Sequence, residues 1–395
     1  MKRSVLISGG GVAGLALAER LGRRGFDTTV VERAAAPRSG GYKVDVRGAA
    51  VTVLERMGLL EAARSLRTEV RRGSVVDAKG RKASSMDGDT FGGRVHDDAE
   101  LLRGDLHRLL HDAAGDTAFV YGDEIRTLRD TGVGVEVEFA SGTTGRYDLV
   151  VGADGLRSGV RRLAFGPDSD FLHDLGYHNA VAAVPNRLGL DREEVTYIGP
   201  GRTALVYATA RQSDARAMFL WSAPGLDSRG LDRAQRQRLL AETYAEEGWC
   251  VPELLADVAD CDDLLFDALS QVRMGSWSSG RVVLLGDAAH CATAASGQGT
   301  SLALVGAHVL AEELSAADAI PSAAFAAYES RMRPFADANQ ALGPANIKRM
   351  VVGGRARVRM ALTMLRVADK LPGKERMLAA MTAPIRRAAN AIDLG

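Results

Sequence analysis

The chain has 395 residues with 50 basic and 50 acidic side chains, so it carries no formal charge and no global field that would draw nucleic acid. It is 46% hydrophobic and 25% charged, a globular balance with room for two or three domains. The three cysteines, Cys250, Cys261 and Cys291, show no metal-ligand spacing, and no apolar run is long enough to cross a bilayer. A cytoplasmic protein with free thiols is expected, with no metal, membrane or nucleic acid as partner.

The first element is a short apolar run, Val5-Leu6-Ile7, which reads as a strand buried on both faces. Gly9, Gly11 and Gly14 follow in the spacing G-x-G-x-x-G, with Ala13 inside the turn. A helical pattern runs from Leu15 to Leu21, and a second strand from Thr28 to Val31 ends at Glu32. This is the strand, turn, helix and strand context of a dinucleotide site. Gly9 permits the tight turn, Gly11 lets a pyrophosphate approach, and Gly14 lets the helix pack on the sheet. The helix N-terminus offers N–H groups to the anion. Glu32 can accept from both hydroxyls of a ribose, and its charge disfavours a 2′-phosphate. Lys2-Arg3 before an apolar run imitates a secretory leader, but consecutive glycines break its core.

Gly40 to Gly48 reads as extended, followed by a helix from Ala49 to Met57. Val70–Asp77 and Arg81–Ser85 read as a hairpin, and Asp87 to Asp98 as a loop. Leu101 to Ala113 has helical spacing, then come strands at Ala118–Tyr121, Glu124–Leu128 and Val133–Phe139. Tyr147–Val151 is a buried strand running into Gly152-Ala153-Asp154-Gly155. Between Tyr177 and Ala223 the pattern becomes strand-rich, which predicts an antiparallel sheet in a separate layer. Tyr197, Tyr207, Phe219 and Trp221 are its candidate substrate walls. Alternation lets only some of them face a pocket, and core packing is the competing reading. Helices follow at Asp232–Glu247 and Pro252–Val258. The strand Arg281–Leu285 ends at Gly286-Asp287, before helices at Gly297–Leu314 and Ser322–Ala341 and a basic helical tail. No internal repeat appears.

Four signals stand in a fixed order: the fingerprint ending in Glu32; Arg103 in E-L-L-R-G-D-L; Asp154 in V-V-G-A-D-G-L-R-S-G-V-R; and Asp287 in V-L-L-G-D-A-A-H, followed by Ser296-Gly297-Gln298-Gly299. Over residues 1 to about 335 the chain resembles the class A flavoprotein monooxygenases, the p-hydroxybenzoate hydroxylase family. It looks most like the branch with tetracycline-degrading enzymes and polyketide hydroxylases. The resemblance implies an α/β fold with a Rossmann-like FAD-binding domain at 1–66, 101–172 and 273–330. A mainly antiparallel substrate domain would occupy 67–100 and 173–272, and a C-terminal helical segment 331–395.

The resemblance further implies FAD as cofactor and NADPH or NADH as transient reductant. O2 and an aromatic or polycyclic substrate (a phenol, polyketide or antibiotic) would meet there, with oxygen passing through a flavin C4a-hydroperoxide. A monomer is expected. Arg103 would lie against the FAD phosphates or ribityl chain, and Asp287 against the ribityl and pyrophosphate region. Gly297, Gln298 and Gly299 would present a helix N-terminus to the flavin pyrimidine. Asp154 would serve flavin and pyridine nucleotide, or else pin its own turn. Arg33, Arg38, Lys43, Asp45 and Arg47 fall in the segment beside the ring. His290 is expected to be structural. The chain departs from the pattern at Thr293-Ala294, where the family has proline. No general base stands out. Baeyer–Villiger oxygenation, a cyclase using FAD as scaffold, and a non-enzymatic flavin-binding regulator are the rival readings.

Overall fold

The computed structural model describes residues 2–37, 40–95, 97–316, 320–371 and 374–395. Its first layer is a six-stranded sheet in the order Ser278–Ser279, Val282–Leu284, Leu149–Gly152, Ser4–Ser8, Asp27–Glu32, Ala118–Tyr121. All neighbours are parallel except the first pair. Val5, Leu6 and Ile7 are fully buried because helices cover both faces. Helix Val12–Gly22 packs against helix Gly299–Ala316. The small, buried alanines of the first helix allow that close approach, while Gly14 faces the glycine turn and Ile7.

The second layer is a seven-stranded sheet in the order Leu265–Val272, Leu172–Val184, Ala215–Ser222, Arg202–Tyr207, Glu193–Gly199, Arg72–Val76, Lys82–Asp87. It is antiparallel except where Glu193–Gly199 lies parallel to Arg72–Val76. The edge strand Leu265–Val272 lacks a strict alternation, and the sequence reading missed it. Residues 87–102 also differ from expectation. A short helix, Gly88–Gly92, sits in the supposed loop. Ala99–Leu102 is a strand paired with Lys43–Val46, so the following helix starts at Arg103 rather than Leu101.

One face of this sheet packs on helices Arg233–Tyr244 and Val251–Ala259 around Tyr197, Phe219 and Trp221. The other face looks toward the parallel sheet. Helix Pro321–Met350 joins the layers and runs through Pro334 and Pro344 without ending. Phe325, Tyr328 and Phe335 lie in the core of the first layer. Ile347 and Val351, at its far end, meet Leu220 and Leu269 of the second. Packing at both ends outweighs the local cost of each proline.

Candidate cofactor and substrate site

The glycine turn has the geometry its spacing requires. Gly9 has φ +108°, and a Cβ there would sit 2.5 Å from the Ala153 carbonyl oxygen. A Cβ on Gly14 would lie 2.0 Å from the Gly9 carbonyl oxygen. At Gly11 the reverse holds, with nothing within 4 Å of an added Cβ. That space is the cradle into which a phosphate can come. Helix Val12–Gly22 starts there without a side-chain cap, so its first turn faces the space. Glu32 ends the neighbouring strand, accepting from the Gly10 N–H at 2.8 Å and the Ala34 N–H at 2.9 Å. These bonds aim its carboxylate along the turn.

Two cavities flank this turn. The outer one, about 470 Å³, is lined by Gly9, Glu32, Arg33, His107 and Asp154. The inner one, about 330 Å³, is lined by Ala13, Asp45, Asp287, Gly297 and Gly299. Gly11, Arg103, Ala153 and Gly155 line both. The result is one elongated track, acidic at its ribose end and bounded by a helix N-terminus at the other. An extended dinucleotide with a planar ring at its inner end fits it.

Asp287 begins a short turn of helix, Asp287–His290, at the end of strand Val282–Leu284. Its side chain is exposed and lines the inner cavity. Desolvation there raises its carboxyl above the ordinary value, while a bond with Cys291 and the Arg103 guanidinium oppose the shift. His290 points the other way. It is buried beside the Trp277 ring, with Nε2 3.4 Å from the Tyr328 hydroxyl. Burial pushes its pKa down to about 4, so it sits neutral in the core.

The remaining predicted residues divide. Asp154 lines the outer cavity but also accepts from the Ser158 hydroxyl and, at 3.1 Å, from the Val160 N–H, so it pins its own turn. Arg33 lines the outer cavity, mostly exposed and 3.9 Å from Glu124. Asp45 lines the inner cavity and lies 2.7 Å from Arg47. Arg47 itself is not among the lining residues. Its guanidinium donates to the Gly92 carbonyl at 2.7 Å and the Gly93 carbonyl at 3.4 Å. Lys43 lines the inner cavity, with its ammonium against Glu100 and Glu194. Gln298 is fully buried, and its backbone carbonyl accepts from Leu302 to start helix Gly299–Ala316. Arg38 lies outside the described residues.

The four aromatic candidates need correction. Tyr197, Phe219 and Trp221 project from the far face of the seven-stranded sheet into its helix-backed core. Tyr207 is on the near face but fully buried, its hydroxyl accepting from the Lys43 backbone N–H at 3.0 Å. On this side the inner cavity is lined instead by Asn179, Met218, Leu220 and Leu269, joined by Tyr42 and Met350. Strand parity was the available signal: if Phe219 and Trp221 face the core, Met218 and Leu220 face the cavity. His107 was also missed. One helical turn after Arg103, it donates from Nε2 to the Gly10 carbonyl at 2.8 Å.

The loop that departs from the family pattern keeps its place on the cavity. Thr293 has φ +74°, a value closed to proline. Ala294 opens a 3₁₀ turn, Ala294–Ser296, a position where proline is tolerated. Thr293, Ala294 and Ala295 all line the inner cavity.

Comparison with known proteins agrees with this geometry. The FAD binding domain family matches residues 2–341. Uncharacterized protein Rv1260 of Mycobacterium tuberculosis is 42% identical over 348 residues, covering 87% of this chain and 94% of its own. A flavin-dependent monooxygenase of Legionella longbeachae is 35% identical over 339 residues, covering 86% and 87%. The crystal structure of tetracycline destructase Tet(51) superposes with a TM-score of 0.86 at 32% identity, over 100% of both chains.

Proposed function

This chain belongs to the FAD binding domain family of flavin-dependent monooxygenases, and on that premise we propose that it oxygenates a flat, largely apolar aromatic or polycyclic molecule. NADPH or NADH serves as the reductant. The observation that carries the substrate class is the inner wall of Met218, Leu220, Leu269 and Met350, interrupted by the amide of Asn179. Such a wall excludes water and reads one polar substituent. The likeness to a tetracycline destructase supports fused rings as the first scaffold to try.

FAD, when bound, supplies the hydride acceptance and oxygen activation. The chain's own residues hold and shield. Glu32 takes the ribose hydroxyls, and the turn at Gly11 takes the pyrophosphate. Arg103, between the cavities, offers its positive charge to the phosphates or ribityl chain. Asp287 accepts from the sugar chain, and the N-terminus of helix Gly299–Ala316 faces negative charge on the reduced ring. Asn179 orients the substrate against the sheet.

The test is a panel of polycyclic phenols and carboxylated single rings, followed by NAD(P)H consumption and product mass. Fused neutral rings should stimulate consumption and gain one oxygen. Turnover confined to small carboxylates would sink the substrate class. Reductant use without any oxygenated product would sink the reaction.

A further inference from the structure

Helix Arg355–Ala368 is apolar on two faces. Its inner face, Val358 and Leu362, packs on Val75 and Ala83 of the seven-stranded sheet. Its outer face carries Met360, Met364 and Val367, continued by Leu371 just past the helix end. These recur at i, i+4, i+7 and i+11, so they form one stripe. They are 55%, 61%, 55% and 52% exposed. The inner face already accounts for the folding role of this helix, so the outer stripe needs another explanation.

Charge says what covers it. Arg359 and Lys370 border one edge of the stripe and Arg357 the other, all exposed. The helix contains no acid. Asp369, at its end, is turned toward the Ser84 hydroxyl and the Ser85 N–H. Between Lys348 and Arg387 the chain has eleven basic residues and two acids, although the whole protein is neutral. A cation-edged apolar ridge is the surface that lies on anionic lipid. A second copy of this chain would bring the same cations face to face.

We propose that this outer face docks peripherally on an anionic membrane surface. Met360, Met364, Val367 and Leu371 enter the acyl boundary, and Arg357, Arg359 and Lys370 lie at the level of the lipid phosphates. No helix among the described residues is long and apolar enough to cross a membrane, and this mode needs only one helical face and no crossing. Met350, a wall of the inner cavity, precedes this helix closely in the chain, so docking brings the cavity near the lipid. The inference does not depend on which substrate is used.

The experiment is vesicle sedimentation of the full-length, FAD-loaded protein on phosphatidylcholine, with and without phosphatidylglycerol. Binding to the anionic vesicles should exceed that to neutral ones by at least about tenfold at low salt, and fall as salt rises. The double variant Met364→Asp/Val367→Asp should abolish it while keeping FAD content and melting temperature. Arg357→Glu/Arg359→Glu, which leaves the stripe intact, should weaken it. Equal binding to both vesicle types, or binding unaffected by either variant, overturns the proposal. So does a solution dimer that the aspartates dissolve, which would assign the face to a second copy. Affinity for polyglutamate with none for vesicles would assign it to an acidic protein.

Discussion

The Lys43 ammonium sits 2.5 Å from Glu194 Oε2, tying the strand beside the inner cavity to the seven-stranded sheet. The same ammonium lies 2.9 Å from Glu100, which also receives Arg94 at 2.6 Å. Burial opposes the charge on Lys43, but Glu100 and Glu194 outweigh it and raise its pKa. Burial likewise opposes the Glu100 carboxylate, and Lys43 and Arg94 outweigh it, so its pKa is lowered from 4.5. The stability contributed by Glu100 is therefore complete above pH 4.5 and lost as pH falls toward the lowered value. Lys43→Met should destabilise the protein at pH 7 by about 3 kcal/mol, because buried Glu194 loses its cationic partner and Glu100 keeps only Arg94. Denaturant titrations between pH 3 and 7 should show a steep acid loss in the parent and a shallower one in the variant.

Gly11 and Gly14 should respond differently to an added side chain. Gly14→Ala drives a Cβ into the Gly9 carbonyl and should lower the apoprotein's melting temperature. Gly11→Val places its side chain in open space and should leave that temperature unchanged, yet weaken FAD about 100-fold by filling the phosphate cradle. Apoprotein melts paired with FAD titration by flavin fluorescence separate the two. Equal FAD affinity in Gly11→Val and parent would refute the assignment.

The cavity loop makes a similar pair. Ala294→Pro should be tolerated or stabilising by about 0.4–1 kcal/mol, since it opens a 3₁₀ turn. Thr293→Pro cannot keep φ +74° and should cost about 3 kcal/mol or more. Chemical denaturation of both variants decides it.

Strand parity gives a test of the wall. Phe219→Ala should cost about 3–5 kcal/mol and Trp221→Ala a similar amount, through cavities in the helix-backed core. Asn179→Leu should spare both stability and FAD binding. It should raise KM for an oxygenated substrate about tenfold, with less change in kcat. An unchanged KM would mean that the amide does not read the substrate.

The sequence was most legible where backbone geometry and residue type constrain each other. The run from Val5 to Glu32 could be read residue by residue, because glycine spacing, buried strand and terminal acid must occur together. Asp287 stands out in the sequence for the same reason, at a strand end before a glycine-rich helix start. The pocket wall was not legible, since an alternating strand such as Ala215–Ser222 offers two apolar faces and its sequence does not say which one meets the cofactor. Arg47 illustrates another limit. It lies in the segment expected beside the ring, but the carbonyls of Gly92 and Gly93, in a stretch read as loop, draw it away. The helical spacing from Ser322 gives out at Ala341, whereas helix Pro321–Met350 runs on past Gly343 and Pro344, because its continuation depends on contacts far away in sequence.

That helix has a consequence for how such enzymes can diverge. Its first half is anchored in the nucleotide-holding half of the molecule, while Met350, at its last residue, forms part of the wall a substrate would touch. Exchanging only the closing turns of this strut could alter which molecules are admitted without disturbing the parts that grip the coenzyme.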